Sequence, residues 1–339
     1  MQRYLIDKPG PHAELRLEET ADPEPGNGEV LVRVKACSLN YRDLMVLRGQ
    51  YGELKHAPLV PLSDCAGEVI SVGEGVDEFE KGDRVAGCFF QNWQAGRLRH
   101  EVYGSDLGFN QQGVLSELRV FNKNGLVKLP RYVSFAEGAC LPVAGLTAFN
   151  AVVPHVARGQ TVLLLGTGGV SLFALQFAKA SGARVIITSS DDAKLERARK
   201  FGADEGINYR TQENWDELAI ELTGGVGVDL VVETGGAKTI ERSINALAPG
   251  GHVSLLGQLT GKANNVNIHG LVYKGGTMHG IFVGSRQDFL AMNAFVPQLN
   301  MAGLIDDLVP FNEAPRAYER IASGHHFGKV VIMLDQSLR

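Results

Sequence analysis

The stretch that most constrains the fold is "TVLLLGTGGVSLFALQFAKASGARVIITSS", residues 161–190. A run of apolar residues typical of a buried strand leads into the turn "GTGGVS", then into an amphipathic helix pattern and a second apolar strand. In this setting Gly166 permits a tight turn, Gly168 lets the backbone approach a pyrophosphate, and the helix N-terminus offers amides to the phosphates. The sequence therefore predicts a dinucleotide site. Its candidate contacts in the turn are Gly166, Gly168, Gly169 and Val170.

One position departs from the usual Gly-x-Gly-x-x-Gly pattern, because Ser171 replaces the third glycine. That glycine allows the helix to pack closely on the strand. Since serine is small, we expect a slight shift of the helix and no loss of cofactor binding.

The residues after the second strand indicate which dinucleotide is bound. An NAD site usually places an acidic residue about twenty residues past the glycines, on the ribose hydroxyls. Ser189 and Ser190 stand there and leave room for a 2′-phosphate, so NADPH is the predicted cofactor. Asp191 is the alternative acid, but it or Ser190 is better placed to cap the following helix, "AKLERARKFG".

Two patterns divide the chain into two domains. Residues 1–128 are short β-rich segments broken by Gly and Pro, typical of an antiparallel barrel, whereas strand and helix patterns alternate regularly from Ser134 onward. The last elements are too few for a third domain, so we expect them to return to the first. The prediction is an α/β protein with a doubly wound parallel sheet at 145–283 and a β-barrel domain formed by 1–144 and 284–339.

Size and charge favour small-molecule chemistry. The 339 residues exceed the size at which one hydrophobic core keeps growing, and 33 basic against 38 acidic residues leave a net charge of −5 without a run of like charges. We therefore expect neither a nucleic acid nor a membrane as partner. The first residues lack an apolar signal-peptide segment, which favours the cytoplasm, and the four widely spaced cysteines are expected to be free thiols.

The segment "ACSLNYRDLMVLRGQYG", residues 36–52, follows an apolar strand pattern. It brings an amide, a phenol, a guanidinium and a carboxylate together where that strand ends, on Asn40, Tyr41, Arg42 and Asp43. Such side chains can hold a metal, shape a substrate pocket or only build a loop. The residues alone leave these three interpretations open.

The order of these parts resembles the medium-chain dehydrogenase/reductase superfamily over nearly the whole chain. Four stretches look like its signatures, in its order and spacing: "PLSDCAGEVISVGEGVDEFEKGDRV" (61–85), "ACLPVAGLTAFNAV" (139–152), "GTGGVSLFALQFAKA" (166–180) and "GADEGINYR" (202–210). The resemblance implies a Rossmann domain, a GroES-like β-barrel domain and a nicotinamide-dependent oxidoreductase.

The resemblance also bears on zinc. Where the zinc alcohol dehydrogenases of that superfamily place a cysteine, a histidine, and a cysteine or acid, this chain has Asn40, Ser63 and Val143, and none is a usable zinc ligand. Of the closely spaced cysteines that hold a structural zinc there, only Cys88 is present. We therefore expect residues 36–52 to bind no metal.

Residues 36–52 look instead like the zinc-free quinone oxidoreductase branch, which carries Asn-x-x-Asp followed by Gly-x-Tyr. Asn40, Asp43, Gly49 and Tyr51 match that pattern. In that branch the asparagine and the tyrosine line the cleft beside the nicotinamide, and the resemblance implies this role for Asn40 and Tyr51. Asp43 can also be interpreted as a loop-capping or salt-bridged residue. Arg42 can face solvent or contact substrate or phosphate, and the same alternatives are open for Tyr41.

Further cofactor contacts follow from the resemblance. Members that prefer NADPH use a lysine early in the helix after the second strand and the tyrosine of an "INYR" segment, which Lys194 and Tyr209 match. Lys329 is a further candidate for a phosphate contact. The residues expected to hold the nicotinamide carboxamide are Thr147 and the backbone near Leu256, Gly257 and Val283.

Without a Lewis-acid metal, the acceptor must itself stabilise the developing negative charge. We therefore expect hydride transfer to a quinone, an α,β-unsaturated carbonyl or an activated aldehyde. Asn40 or Tyr51 would donate a hydrogen bond to its oxygen, and Tyr51 or solvent would supply the final proton. Two alternatives are an alcohol dehydrogenase with a lost or altered zinc site and a cofactor-binding protein with little turnover.

Assembly is predicted from one apolar run. Residues 277–283, "TMHGIFV", are expected to form an edge strand of the cofactor sheet that pairs across a two-fold axis, as in relatives, giving a homodimer. The least patterned stretch, 91–112, is expected to form a lid or an oligomer contact.

Overall fold

The computed structural model describes residues 1–257, 259–261 and 266–334. The strands are β1 (Gln2–Leu5), β2 (Arg16–Glu19), β3 (Glu29–Ser38), β4 (Asp64–Val72), β5 (Arg84–Gly87), β6 (Leu118–Asn122), β7 (Leu126–Lys128), β8 (Thr161–Leu165), β9 (Arg184–Ser189), β10 (Glu205–Asn208), β11 (Val228–Glu233), β12 (Leu247–Leu255), β13 (Thr277–Gly280), β14 (Ile305–Pro310) and β15 (Lys329–Met333). The helices are α1 (Tyr41–Leu47), α2 (Phe135–Ala139), α3 (Leu146–Val152), α4 (Gly169–Ala180), α5 (Asp192–Lys200), α6 (Trp215–Leu222), α7 (Ile240–Ala246), α8 (His269–Lys274), α9 (Arg286–Asn293) and α10 (Ala314–Ala322). None of these described helices is long and apolar enough to cross a membrane.

The described chain forms two compact units. The first unit consists of Met1–Leu146, Val283–Val296 and the residues from Leu304 onward. The second unit consists of Thr147–Phe282 and Pro297–Gly303.

The short segment 297–303 differs from the expectation that it belongs with the first domain. The backbone N–H of Asn300 donates to Oε1 of Gln176 at 3.0 Å, and a side chain at Gly303 would collide with the ring of Phe201. Gln176 and Phe201 both belong to the second unit, so the segment packs there.

The second unit is built on a parallel sheet, whose strand order within the described residues is β10-β9-β8-β11-β12-β13. All neighbouring strands are parallel. Strands β8, β9 and β11 are almost continuous buried apolar runs, as expected for strands covered on both faces. The doubly wound sheet predicted from the sequence is confirmed. The strand order reverses between β8 and β11, and ligands bind such sheets at the carboxyl ends of the strands at this point.

Helix α4 is buried along most of its length, which fixes the turn that precedes it. Its residues from Ser171 to Ala178 are buried, and Phe173 and Phe177 are fully buried. The ring of Phe149 packs edge-on against Phe177, with 5.6 Å between centroids. Truncating a buried phenylalanine costs about 3–5 kcal/mol, so this packing holds the N-terminus of α4 firmly at the end of β8.

The first unit contains a mixed sheet with the order β14-β15-β3-β4-β5-β7 in the described chain, and β6 also pairs with β3. Strands β14 and β15 are parallel to each other, and the other pairs are antiparallel. Because β15 pairs with the end of β3, with Val331 opposite Ser38, the C-terminal return brings Lys329 next to the residues that follow β3.

Candidate functional site

The glycine turn joins the carboxyl end of β8 to α4. Gly166 has a φ of +77°, a left-handed conformation that favours glycine, and Gly168 is the N-cap of α4. A Cβ atom added at either glycine would meet nothing within 4 Å, and no side chain caps the helix. Gly169 and Val170 begin the helix. This open, uncapped helix N-terminus fits a bound pyrophosphate.

Ser171 compensates for the absent third glycine. Its hydroxyl is buried and donates to the backbone carbonyl of Leu165 at 2.8 Å, which ties the first turn of α4 to the end of β8. The N–H of Gly166 donates to Thr188 Oγ1 at 3.2 Å, which joins β9 to the same turn. These two hydrogen bonds tie the helix to the ends of β8 and β9.

The connection from β9 to α5 carries the residues expected at the ribose. Ser189 ends β9 and is buried, and Ser190 is partly exposed. The carboxylate of Asp191 accepts from the backbone N–H groups of Ala193 and Lys194, at 2.8 and 3.2 Å. Of the two predicted caps, Asp191 and Ser190, it is Asp191 that forms the N-cap of α5, through its Oδ1.

Tyr209 lies beside this connection, directly after β10. Its backbone N–H donates to the carbonyl of Ser189 at 3.0 Å, and its side chain is 43% exposed. Lys194 lies in the first turn of α5. The structure therefore brings Ser189, Lys194 and Tyr209 to the carboxyl ends of the adjacent strands β9 and β10.

A buried carboxylate that the sequence analysis missed shapes the loop after β11. Glu233 is fully buried, and its Oε1 accepts from the N–H groups of Gly235 and Gly236 and from Thr239 Oγ1, at 2.7, 2.9 and 2.7 Å. Its Oε2 accepts from the hydroxyl of Ser243. An acid that ends an apolar strand and precedes "TGG" is the sequence signal for this network.

The residues expected at the nicotinamide are distributed over both units. In the second unit Thr147 is buried, and the N–H groups of Leu256 and Gly257 donate to the Glu233 carbonyl at 3.1 and 3.2 Å. In the first unit Val283 is buried with a φ of +58°. This left-handed conformation is rare for a β-branched residue, and such strain is concentrated at functional sites.

Asn40 and Lys329 meet in the first unit. Asn40 is the N-cap of α1, and the buried ammonium of Lys329 donates to its Oδ1 at 2.6 Å and to the carbonyl of Leu39. The amide Nδ2 of Asn40 is buried and makes no hydrogen bond of ordinary geometry, although it lies close enough to the Asp64 carboxylate to lower the pKa of that group. Leaving a buried donor unpaired costs about 1–3 kcal/mol, so this atom marks a place for an acceptor.

Asp64 lies in the same cluster and accepts hydrogen bonds from Ser63 and Val143, two of the residues that stand where zinc alcohol dehydrogenases have zinc ligands. Its carboxylate is fully buried and accepts from Ser63 Oγ at 2.6 Å and from the backbone N–H of Val143 at 3.1 Å. Burial raises the pKa of Asp64, and the ammonium of Lys329 and the hydroxyl of Ser63 oppose this rise; the amide of Asn40 also lies near enough to oppose it. In the part of the chain that the structure describes, no three His, Cys, Asp or Glu side chains are grouped to hold a metal ion.

Asp43 serves the start of α1. Its Oδ2 accepts from the backbone N–H of Asn40 at 2.8 Å, and its Oδ1 lies 3.5 Å from Nη1 of Arg42. Burial raises the pKa of Asp43 to about 6, although Arg42 opposes the rise. Of the two interpretations of Asp43, the structure favours the capping and salt-bridged one.

Arg42 does not point into solvent. Its side chain is 11% exposed, its Nη2 donates to Asp106 at 2.6 Å, and its guanidinium carbon lies 5.0 Å from the ring centroid of Tyr51 and 4.9 Å from that of Phe89. Phe109 packs edge-on against Tyr51, with 5.0 Å between centroids. Residues 91–112 therefore reach Tyr51 through Asp106 and Phe109.

Three histidines that are distant in sequence come together in the second unit. The rings of His155 and His252 stack with 4.0 Å between centroids, and the His279 ring centroid lies 6.3 Å from that of His155. Burial, together with the two neighbouring imidazoles, lowers the pKa of His252 to about 4. The His252 imidazole is therefore neutral near pH 7.

Comparison with known proteins identifies relatives along the whole chain. Residues 26–131 match the alcohol dehydrogenase GroES-like domain, and residues 169–298 match the family described as zinc-binding dehydrogenase. The chain is 41% identical to the zinc-type alcohol dehydrogenase-like protein C1773.06c of Schizosaccharomyces pombe, over 98% of this chain and 99% of that protein.

Two solved structures resemble it as well. One is described as a putative alcohol dehydrogenase from Sinorhizobium meliloti 1021, with a TM-score of 0.90, 39% identity and 98% coverage of both chains. The other is the Escherichia coli quinone oxidoreductase complexed with NADPH, with a TM-score of 0.81, 25% identity, and coverage of 98% of this chain and 100% of that one.

Proposed function

The chain belongs to the medium-chain dehydrogenase/reductase superfamily, and on this premise we propose that it is a zinc-independent reductase. It transfers a hydride from NADPH to a quinone, an α,β-unsaturated carbonyl or an activated aldehyde. The observation that carries this proposal is the buried amide of Asn40, whose oxygen is held by Lys329 and whose Nδ2 makes no well-formed hydrogen bond beside the Asp64 carboxylate. Such a donor suits an acceptor oxygen that becomes negative during reaction.

The proposed cofactor is NADPH. A carboxylate that demands free ribose hydroxyls would favour NADH, but the Asp191 carboxylate caps α5 through its Oδ1. Lys194, Tyr209 and the serines at the end of β9 supply a cation and hydroxyl groups for a 2′-phosphate. The quinone oxidoreductase among the similar structures is described with NADPH, which agrees with this proposal.

Zinc independence is proposed from the chemistry of the cluster around Asn40. The amide of Asn40 and the hydroxyl of Ser63 bind zinc weakly. The aliphatic side chain of Val143 cannot bind it. The ammonium of Lys329 contacts the amide oxygen of Asn40, and a dication beside it would meet like-charge repulsion. In this proposal Lys329 holds the amide oxygen of Asn40. We no longer assign a phosphate contact to Lys329.

The roles of the protein groups follow from these contacts. When bound, NADPH supplies the hydride, which adds to the electrophilic carbon of the acceptor while an electron pair moves onto its oxygen. Asn40 donates from Nδ2 to that oxygen, and Tyr51 donates a second hydrogen bond. The proton that completes the product comes from Tyr51 or from solvent.

The proposed function is tested with chelator-treated protein, offered NADPH or NADH together with an ortho-quinone, an enone, an activated aldehyde or a simple ketone. We expect NADPH oxidation with the conjugated or activated acceptors and none above background with the ketone, because the ketone has no Lewis acid to polarise it. The measurement is the loss of absorbance of the reduced nicotinamide. Activity that appears only after zinc is added would contradict the proposal and favour an alcohol dehydrogenase.

For assembly, we propose a homodimer formed through β13. This strand lies at one end of the sheet order in the described residues, and unpaired strand edges pair readily with a second chain. Helix α8, which packs on α7 and β12 and precedes β13 in the chain, and the residue before it carry exposed apolar side chains, at Ile268, Val272 and Tyr273, which are 58%, 73% and 88% exposed. A second copy of the chain, with the same edge and patch, would cover them.

A charge in this patch is expected to prevent dimerisation. Val272→Glu places a carboxylate in the apolar contact, so the mass measured by light scattering after gel filtration should fall from about twice the chain mass of 36.6 kDa to that of one chain. Val226→Glu is the matched control, because Val226 is 62% exposed in the same unit but precedes β11. A wild-type protein of single-chain mass at micromolar concentration would refute the dimer.

A further inference from the structure

We propose that Arg42 is a positioning residue that fixes the ring of Tyr51 for the proposed reaction, and that Asp106 holds Arg42 in place. The inference rests on the proposed function, in which Tyr51 donates to the acceptor oxygen. It also gives residues 91–112, the least patterned stretch of the sequence, a defined role in the first unit, because Asp106 belongs to that stretch.

The first step concerns what holds the guanidinium. Asp106 accepts from Nη2 of Arg42 at 2.6 Å, and its other oxygen accepts from Asn110 Nδ2, also at 2.6 Å. The carboxylate is thus fixed from two sides and is 8% exposed on its side chain. A carboxylate held in this way constrains the guanidinium in direction as well as in distance.

The second step concerns what the guanidinium does. It lies 5.0 Å from the ring centroid of Tyr51 and 4.9 Å from that of Phe89, within the range of a cation–π contact with both. Nε and Nη1 of Arg42 are buried without a hydrogen-bond partner. Nη1 lies 3.5 Å from the Asp43 carboxylate, so the two rings and the carboxylates of Asp43 and Asp106 surround this buried cation.

The third step concerns Tyr51 itself. Its ring is contacted by Arg42 and, edge-on, by Phe109 at 5.0 Å. The ring of Phe109 also lies 3.0 Å from where a Cβ atom of Gly52 would stand, so a side chain at residue 52 would press on that ring. Residues 91–112 thus hold this tyrosine twice, directly through Phe109 and indirectly through Asp106 and Arg42.

A lysine would not reproduce this arrangement. The planar guanidinium stacks on an aromatic ring and forks toward a carboxylate, whereas an ammonium is a compact, strongly hydrated charge. Arg42→Lys should therefore restore only part of what Arg42→Met loses.

The test is a double-mutant cycle with Tyr51→Phe, measured on the full-length protein with NADPH and the best conjugated acceptor. Arg42→Met should lower kcat about tenfold, and Asp106→Asn should also lower kcat. The Kd of NADPH should stay within about twofold of the wild-type value in both variants. In the Tyr51→Phe background, Arg42→Met should have almost no further effect, because the hydroxyl that Arg42 positions is already absent. An equal tenfold loss in both backgrounds would overturn the inference.

The matched control is Arg320→Met, which removes another short ion pair of the first unit. Arg320 Nη2 donates to Asp306 at 2.6 Å, and the Asp306 side chain is 5% exposed. This control should leave kcat within about twofold, since Arg320 contacts neither Tyr51 nor Asn40 in the described structure. A loss equal to that of Arg42→Met would mean that any broken ion pair has this effect, and the inference would fail.

A readout that does not depend on turnover separates this inference from the proposed function. The chain has 8 tyrosines, and in fluorotyrosine-labelled protein the ¹⁹F signal of Tyr51 is the one that Tyr51→Phe removes. Arg42→Met should shift or broaden that signal, and Arg320→Met should leave it unchanged. A shift without any turnover by the wild type would sink the proposed function alone, whereas an unchanged signal would sink the positioning of Tyr51.

Discussion

Replacing Asn40 by aspartate is expected to lower kcat for the conjugated acceptor about a hundredfold, the scale of losing one preorganised oxyanion donor. The reason lies in the two ends of the amide. Oδ1 accepts from Lys329 at 2.6 Å, and aspartate keeps an oxygen there. Nδ2 is buried without a well-formed hydrogen bond, and aspartate replaces it with a second oxygen that repels the developing negative charge.

Aspartate also preserves the capping role of residue 40. Asn40 is the N-cap of α1 and aspartate is as good an N-cap as asparagine, but the new carboxylate would face the buried Asp64 carboxylate, so the melting temperature should fall and kcat is compared at a temperature where the variant remains folded. Asn40→Asp is a more specific test than Asn40→Ala. Alanine would remove both the favourable N-cap residue and the oxygen that accepts from Lys329. If Asn40 served only to cap the helix, Asn40→Asp would be nearly as active as the wild type.

The measurement is kcat at saturating NADPH, together with the Kd of NADPH from nicotinamide fluorescence. The Kd should remain within about twofold, because the loss concerns a group that acts on the acceptor oxygen. Asn122→Asp is the matched control, since Asn122 is an exposed N-cap asparagine of the first unit whose side chain accepts from Asn124 N–H. A kcat for Asn40→Asp within twofold of the wild type would exclude Asn40 as an oxyanion donor.

The sequence predicted those parts of the molecule whose signals are local. The buried strand β8, the glycine turn and α4 lie within thirty residues, and each carries its own pattern, so the parallel sheet and the position of Gly166 follow from residue order. The cap of α5 is predictable to within one residue, Ser190 or Asp191, for the same reason, because capping acts over three residues.

The parts that the sequence did not predict depend on contacts between distant segments. Lys329 reaches Asn40 across 289 residues, and Asp106 reaches Arg42 across 64, through pairings that no short pattern encodes. The expectation of a phosphate contact for Lys329 rested on resemblance alone, which does not show where a buried ammonium finds its acceptor. The pairing of β15 with β3 is what brings Lys329 to Asn40, and this long-range pairing is known only from the fold.

Lys194→Ala is expected to raise the Kd of NADPH about tenfold and to change that of NADH less than about threefold. The reason is the 2′-phosphate, the one group by which the two cofactors differ. A hydrogen bond to a charged group contributes about 1.5–3 kcal/mol, which corresponds to a factor of about ten or more in Kd. Lys194 lies in the first turn of α5, beyond the carboxyl end of β9, where such a phosphate would lie.

Adding Ser190→Asp to Lys194→Ala should reverse the preference between the two cofactors. Ser190 follows β9 at the place where NAD sites carry an acid, and a carboxylate there repels the 2′-phosphate of NADPH but accepts from the free ribose hydroxyls of NADH. Fluorescence titration of both cofactors measures the effect without requiring turnover. Lys200→Ala is the matched control, because Lys200 lies on the same helix with its side chain 76% exposed and should alter neither Kd. The cofactor assignment fails if the wild-type protein binds NADH as tightly as NADPH. It also fails if Lys194→Ala weakens the binding of both cofactors equally, because Lys194 then makes no contact with the 2′-phosphate.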